Sequence, residues 1–225
     1  MDNWNGIGSL FVACIELILL VNLFVFAKKD KFNKTAMLIL FFLLVYQTLE
    51  FLMCQIGLDF SFMPYLAFVD ISLLPSLLLL LLAKLFDYRN KYLYLIFLPA
   101  ISFIFYYSFV VKEFAVTSCT VLYATYSYPF GDLYGFFYYI PIIISSFILI
   151  RTLTKSKDKR IRYISKTLLY GNIIISIPVV VGFILMYSDN HYLIAMIESI
   201  MCKFALGYAI CLAIVSLYNS RVKDG

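Results

Sequence analysis

Charge, histidine and tryptophan are all scarce in this chain: 14% of its 225 residues are charged, and His191 and Trp4 are the sole examples of their kinds. A soluble domain carries roughly a quarter charged residues. The shortage leaves too little polar surface for a soluble enzyme, a nucleic-acid-binding domain or a disordered chain. Catalytic motifs are missing as well. There is no Gly-x-Ser-x-Gly turn, no phosphate-cradling glycine loop and no His-Glu-x-x-His. A single histidine also falls short of the imidazole-rich sets that hold catalytic zinc. What fills the chain instead is apolar, with 64% hydrophobic residues and a mean hydropathy of +0.94. That is the composition of an integral membrane protein.

A membrane-crossing helix needs about 20 mostly apolar residues. Seven segments meet the requirement, roughly 6–26, 36–57, 61–83, 92–111, 131–150, 166–187 and 191–217. The expected fold is therefore all-α, a single polytopic domain over 1–225 with seven transmembrane helices. Connections are short, apart from about 19 residues between the fourth and fifth spans. The first span has no basic leader and no small-residue cleavage site, so it is expected to stay as a helix rather than be removed. Pro75, Pro99, Pro141 and Pro178 each fall inside a span, where kinks in successive helices can open a cavity.

Basic residues give the orientation. Lys28, Lys29, Lys31 and Lys34 follow the first span, and Lys84, Arg89 and Lys91 the third. Arg151, Lys155, Lys157, Lys159, Arg160, Arg162 and Lys166 follow the fifth, and Arg221 and Lys223 the seventh. Sixteen of the 18 basic residues thus share one side, which the positive-inside rule assigns to the cytoplasm. The N-terminus is expected outside and the C-terminus inside. The run 151–166 reads as a topological signal and solvated helix start, with an anionic-lipid or protein partner as the functional alternative. Asn33-Lys34-Thr35 matches a glycosylation sequon, but falls on the cytoplasmic side.

Acidic residues inside the spans carry more information. Glu16, Glu50, Asp70 and Glu198 lie within them, and each costs about 2.5–3.5 kcal/mol at a helix centre, so it must face the bundle, a partner or water. A rise of 1.5 Å per residue puts Glu50 and Glu198 roughly 10 Å deep from the outer side, Asp70 and Glu16 about 14–15 Å, and Lys203 about 18 Å. All five fall in the outer half or midplane, on helices one, two, three and seven of a simple ring. One outward-facing polar crevice among those helices is the expected arrangement, with Asp70 or Glu16 as the counter-ion of Lys203.

The five cysteines, Cys14, Cys54, Cys119, Cys202 and Cys211, show no paired spacing, and only Cys119 falls in a loop. Gln47, Glu50 and Cys54 occupy one face of the second helix. Glu50-Phe-Leu-Met-Cys54 echoes Glu198-Ser-Ile-Met-Cys202, and the two thiols with two carboxylates are a conceivable set for a soft metal or for redox chemistry. With one histidine, no metal is expected. His191 reads as a hydrated interface residue.

Seven spans, an external N-terminus, Pro178 in the sixth span and Lys203 in the seventh resemble the microbial rhodopsins. The resemblance implies retinal held on Lys203 as a Schiff base. The pattern departs at Ser199, where the family has an acid, in the lack of an arginine in the third span, and in the lone Trp4. A second resemblance covers more of the chain. Gln47-x-x-Glu50, Pro75 and Ser199-x-x-Cys202-x-Phe204-Ala205 are similar to an uncharacterised family of small bacterial seven-helix membrane proteins, a domain of unknown function. This chain lacks that family's Met-Cys start, and Met201 replaces its tryptophan before the helix-seven cysteine. The resemblance implies a role for Glu50 and Cys202 and no particular activity.

The expected function is a non-enzymatic binding, sensing or transport protein. Glu16, Glu50, Asp70 and Glu198 would take a proton, a cation or an amine-bearing solute, with Gln47, Cys54 and Cys202 as neighbours and Lys203 as counter-charge. The alternatives are a lipid-modifying enzyme using paired acids as proton donor and acceptor, and a retinal photoreceptor. No cofactor besides retinal on Lys203 follows, and no nucleic-acid partner. The expected partners are the bilayer, a small cationic solute or proton, and a protein at 151–166. The expected location is the plasma membrane.

Overall fold

The structure, a computed structural model, describes residues 4–55, 61–88, 90–187 and 197–222. Its elements in chain order are α1 (Ile7–Phe26), α2 (Lys31–Gln55), α3 (Phe62–Leu85), a 3-10 segment (Lys91–Phe97), α4 (Leu98–Phe109), β1 (Ala115–Cys119), β2 (Ala124–Ser127), α5 (Gly131–Lys155), α6 (Lys159–Tyr187) and α7 (Ile197–Val222). Among the described residues, seven helices are long and apolar enough to cross a membrane. The chain is an integral, multi-pass membrane protein.

The helices outrun the apolar segments at their basic ends. Helix α5 continues from residue 150 to Lys155, and α6 begins at Lys159 rather than 166. Lysine and arginine are good helix formers, so the helix persists where hydropathy stops. The fourth span is not one helix. Its first turns are 3-10, and the α-helix starts at Leu98 with Pro99 in its first turn. Proline fits there because the N–H it lacks would have no intrahelical partner.

The long connection is not a plain loop, and the fold is not wholly helical. β1 and β2 pair antiparallel, with Ala115 opposite Ser127 and Cys119 opposite Ala124, and a bulge between Val116 and Ser118. Val116, Thr117, Thr125 and Tyr126 are residue types that favour strands and suit a pleated ribbon.

The helices do not form a simple seven-membered ring. Helix α2 packs on α3, α3 on α5, α5 on α6, α6 on α7 and α7 back on α2, closing a ring of five. Helix α1 lies outside against α2 and α7, and α4 outside against α3 and α5. The α6–α7 seam is tight because Gly171 has no side chain: a Cβ there would stand 2.5 Å from the Tyr208 ring. Small residues at such seams let membrane helices approach closely. The outer helices leave Phe11, Ile18, Phe24, Phe105 and Phe109 exposed, the surface that lipid tails cover.

Two different cores hold the ends. Towards the basic loops, Leu23, Leu40, Leu81, Leu149, Ile164, Leu168 and Leu212 are fully buried together. At that end Asn33 donates to the Lys28 carbonyl and Ser220, while Asn219 donates to Asp30 and accepts from Arg160. Asn33 is fully buried in this network, so the sequon offers no acceptor side chain. At the opposite end Phe68 packs edge to face on Tyr107, Phe114 and Tyr128 and tilted on Tyr134, joining α3, α4 and α5 to the base of the hairpin.

Candidate functional site

Where α1, α2 and α7 meet, a polar knot interrupts the apolar interior. Helix α7 starts at the hairpin end, and helical side chains tilt toward the N-terminus of their own helix. Lys203 therefore leans toward the hairpin. Glu50 sits near the C-terminal end of the antiparallel α2 and leans the other way, and the two meet at 2.8 Å. The ammonium also donates to Gln47 Oε1 at 2.7 Å and Ser9 Oγ at 2.9 Å, which uses all three of its protons. Glu50 Oε1 accepts from Lys203, from Ser9 Oγ at 2.9 Å and from Ser199 Oγ at 3.0 Å. Gln47 Nε2 in turn donates to the Cys202 carbonyl at 3.0 Å.

The hairpin covers this knot. The Ala124 amide donates to Ser199 Oγ at 3.1 Å, so the lid shares a hydroxyl with Glu50. The hairpin turn accepts backbone bonds from the start of α1, Gly6 N to Thr120 O at 2.8 Å and Gly8 N to Val121 O at 2.9 Å. Gly8 permits that approach, since a Cβ there would stand 2.8 Å from the Val121 carbonyl. A disulfide between Cys54 and Cys119 fastens the hairpin to the end of α2.

Two further carboxyls lie near the knot with buried oxygens that no donor reaches. Both oxygens of Glu16 on α1, and Oδ2 of Asp70 on α3, are buried and have no hydrogen-bond partner. Lys203 acts electrostatically on Glu16, and Glu16 on Asp70, so the three belong to one charged neighbourhood.

These positions amend the expected site in three ways. Glu16, Glu50 and Asp70 are 0%, 1% and 5% exposed, so they form a closed interior cluster and not an open crevice. The counter-ion of Lys203 is Glu50, and not Asp70 or Glu16, because the lysine stem reaches beyond the depth of its own Cα. Cys54 is tied up in the disulfide, so the two-thiol set with Cys202 does not form. Among the described residues no three His, Cys, Asp or Glu side chains gather to hold a metal. The side chain of Glu198, and all of His191, lie outside the described residues. Gln47, Glu50 and Lys203 do come together as one site. Ser9 was not among the expected residues, and its signal is faint: a lone hydroxyl in an apolar first turn.

Cys202 is buried, lies outside the disulfide, and faces a central cavity on the far side of α7 from the Lys203 ammonium. Lys203 does not line that cavity, nor a smaller one between α3, α4 and α5. Pro75 borders both cavities and Pro99 and Pro141 the smaller, while Pro178 borders neither.

Fold and site together define a class, a multi-pass membrane protein with a lidded carboxyl–ammonium cluster in its interior. Comparison with protein-family models, with curated proteins and with solved structures finds no match for this chain.

Proposed function

We propose that this is a non-enzymatic transport or sensing protein of the plasma membrane, which binds a proton or a small cation at Glu16 and Asp70. The observation that carries the reading is the state of the Glu16 carboxyl. It is buried with neither oxygen bonded, while the one ammonium nearby already has a matching carboxylate in Glu50. An ionised carboxylate closed off in this way is far costlier than a paired one, so its charge is met by a proton or a bound cation. The hairpin end faces outside and the basic loops face the cytoplasm. Sixteen of 18 basic residues at the other end support that orientation. So does the disulfide at the hairpin, since such bonds persist on the oxidising side of a membrane.

The test is thermal stability of the detergent-purified protein in lithium, sodium, potassium and choline salts at one ionic strength, repeated at several pH values. Wild type is expected to respond to pH or to the identity of the cation. The pair Glu16→Gln and Asp70→Asn is expected to fold and lose the response. An equal response in wild type and the neutral variant would overturn the proposal.

A further inference from the structure

Residues 151–166 hold seven basic side chains against one acid, and six of the seven are exposed. Orientation alone asks for less, because the four lysines after α1 already flank the span that usually sets topology. The structure turns the excess in one direction. Arg160, the half-buried member, gives its guanidinium to Asn219 of α7. That bond fixes the roll of α6. At 100° per residue Arg162 then stands about 200° round the helix from Arg160, away from α7. The one acid, Asp158, caps α6 and accepts from the Arg160 amide at 2.8 Å. Among the described residues, Lys155, Lys157, Lys159 and Arg162 meet no carboxylate.

Past the turn, the exposed face of α6 changes character in the order a phospholipid does. Arg162 and Lys166 come first, neighbours at i and i+4 with Cβ atoms about 6 Å apart. The Lys166 ammonium lies 5.8 Å from the centroid of the Tyr170 ring, an aromatic of the kind that gathers at headgroup level. Ile173, Ile177 and Val180 follow on the same face, exposed and apolar. We propose that α6 binds an anionic phospholipid, its phosphate on Arg162 and Lys166 and an acyl chain along Ile173 and Ile177. The unpaired lysines of the turn repel a headgroup that carries its own cation, which selects the anionic lipid. Clusters of four to eight basic residues beside a span have this use in other membrane proteins. The orientation proposed above puts the site in the cytoplasmic leaflet, where anionic lipids gather. It shares no side chain with Glu16, Asp70, Glu50 or Lys203, so it stands or falls apart from the ion-binding proposal.

The experiment counts lipid bound to the full chain in detergent by native mass spectrometry. Dioleoyl phosphatidylglycerol is titrated beside dioleoyl phosphatidylcholine, which has the same acyl chains and no net charge. The expected result is saturable binding of phosphatidylglycerol, about tenfold or more tighter than phosphatidylcholine. The variant with Arg162→Gln and Lys166→Gln is expected to weaken it about twentyfold, roughly fivefold for each charge removed. Lys29→Gln with Lys31→Gln takes the same charge from another basic turn and is expected to leave the affinity within about threefold. All four side chains are exposed, so both variants are expected to melt with wild type. Phosphatidylglycerol with a diazirine in its acyl chain is expected to label peptides within 170–181. Equal affinity for the two lipids would overturn the proposal and leave the turn to an acidic protein. Equal losses in the two variants would overturn it in favour of diffuse charge. Displacement of the lipid by soluble glycerol phosphate would do so in favour of a free anion.

Discussion

Lys203 finds Glu50 through the direction of its side chain, and that direction is what depth arithmetic omits. Ranking Cα positions along each span pairs the lysine with Glu16 or Asp70. Adding the tilt of side chains toward each helix N-terminus moves the two groups toward one another from antiparallel helices, and brings them to 2.8 Å. Gln47 and Glu50 were legible as one polar face of a helix, because three residues bring them nearly to the same side. Ser9 was not legible, because nothing in the sequence says which turn of α1 crosses α2. Removing one member of a buried, hydrogen-bonded pair leaves the other charge uncompensated, at about 3–5 kcal/mol. Glu50→Leu or Lys203→Met alone is therefore expected to lower stability by that order. The double variant is expected to recover most of it, since an apolar pair in this place leaves no charge stranded. Unfolding of the four proteins in detergent gives the coupling directly, and strictly additive effects would refute the pairing.

At the level of elements, the hairpin carries what the helix pattern left unread. Its strands are five and four residues long, too short for a clear alternation against the apolar background. The disulfide was nearer to hand. Cys54 closes the second span and Cys119 lies in the loop after the fourth, so the expected topology already placed both on the outer side. Their 65-residue separation hid the pair from any reading by spacing. Breaking a cross-link that closes a loop of that length costs about 2–4 kcal/mol. The variant with both Cys54→Ser and Cys119→Ser is expected to melt lower by a corresponding margin. Alkylation under denaturing conditions is expected to modify three cysteines before reduction and five after it. Five modified without reductant would deny the bond. The aromatic cluster anchors the other side of the lid, and Phe68, which meets Tyr107, Phe114, Tyr128 and Tyr134, is its hub. Phe68→Ala is expected to cost about 3–5 kcal/mol, the range for a large aromatic removed from a packed core, measured by the same unfolding assay.

Across the whole molecule, hydropathy gave the number of spans because twenty apolar residues have no other use in a chain with so little charge. It could not give their arrangement. Whether α1 and α4 belong to the ring or sit outside it depends on which faces interlock, and an apolar helix is apolar on every face when lipid is its solvent. The same arrangement seals the interior at both ends, by the Asn33–Asn219–Arg160 network at one and by the stapled hairpin at the other. Sidedness then fixes which seal a solute meets first. Lys112 lies beside the hairpin and is exposed; Lys157 is exposed in the short turn between α5 and α6. Single free cysteines placed there by Lys112→Cys and Lys157→Cys, in a background with Cys14, Cys202 and Cys211 replaced by alanine, report the two ends separately. A membrane-impermeant maleimide applied to intact cells is expected to label Lys112→Cys and to reach Lys157→Cys only after permeabilisation. The opposite pattern would put the disulfide on the reducing side and the basic loops outside, and with them would fall the outward-facing lid over the carboxyl cluster.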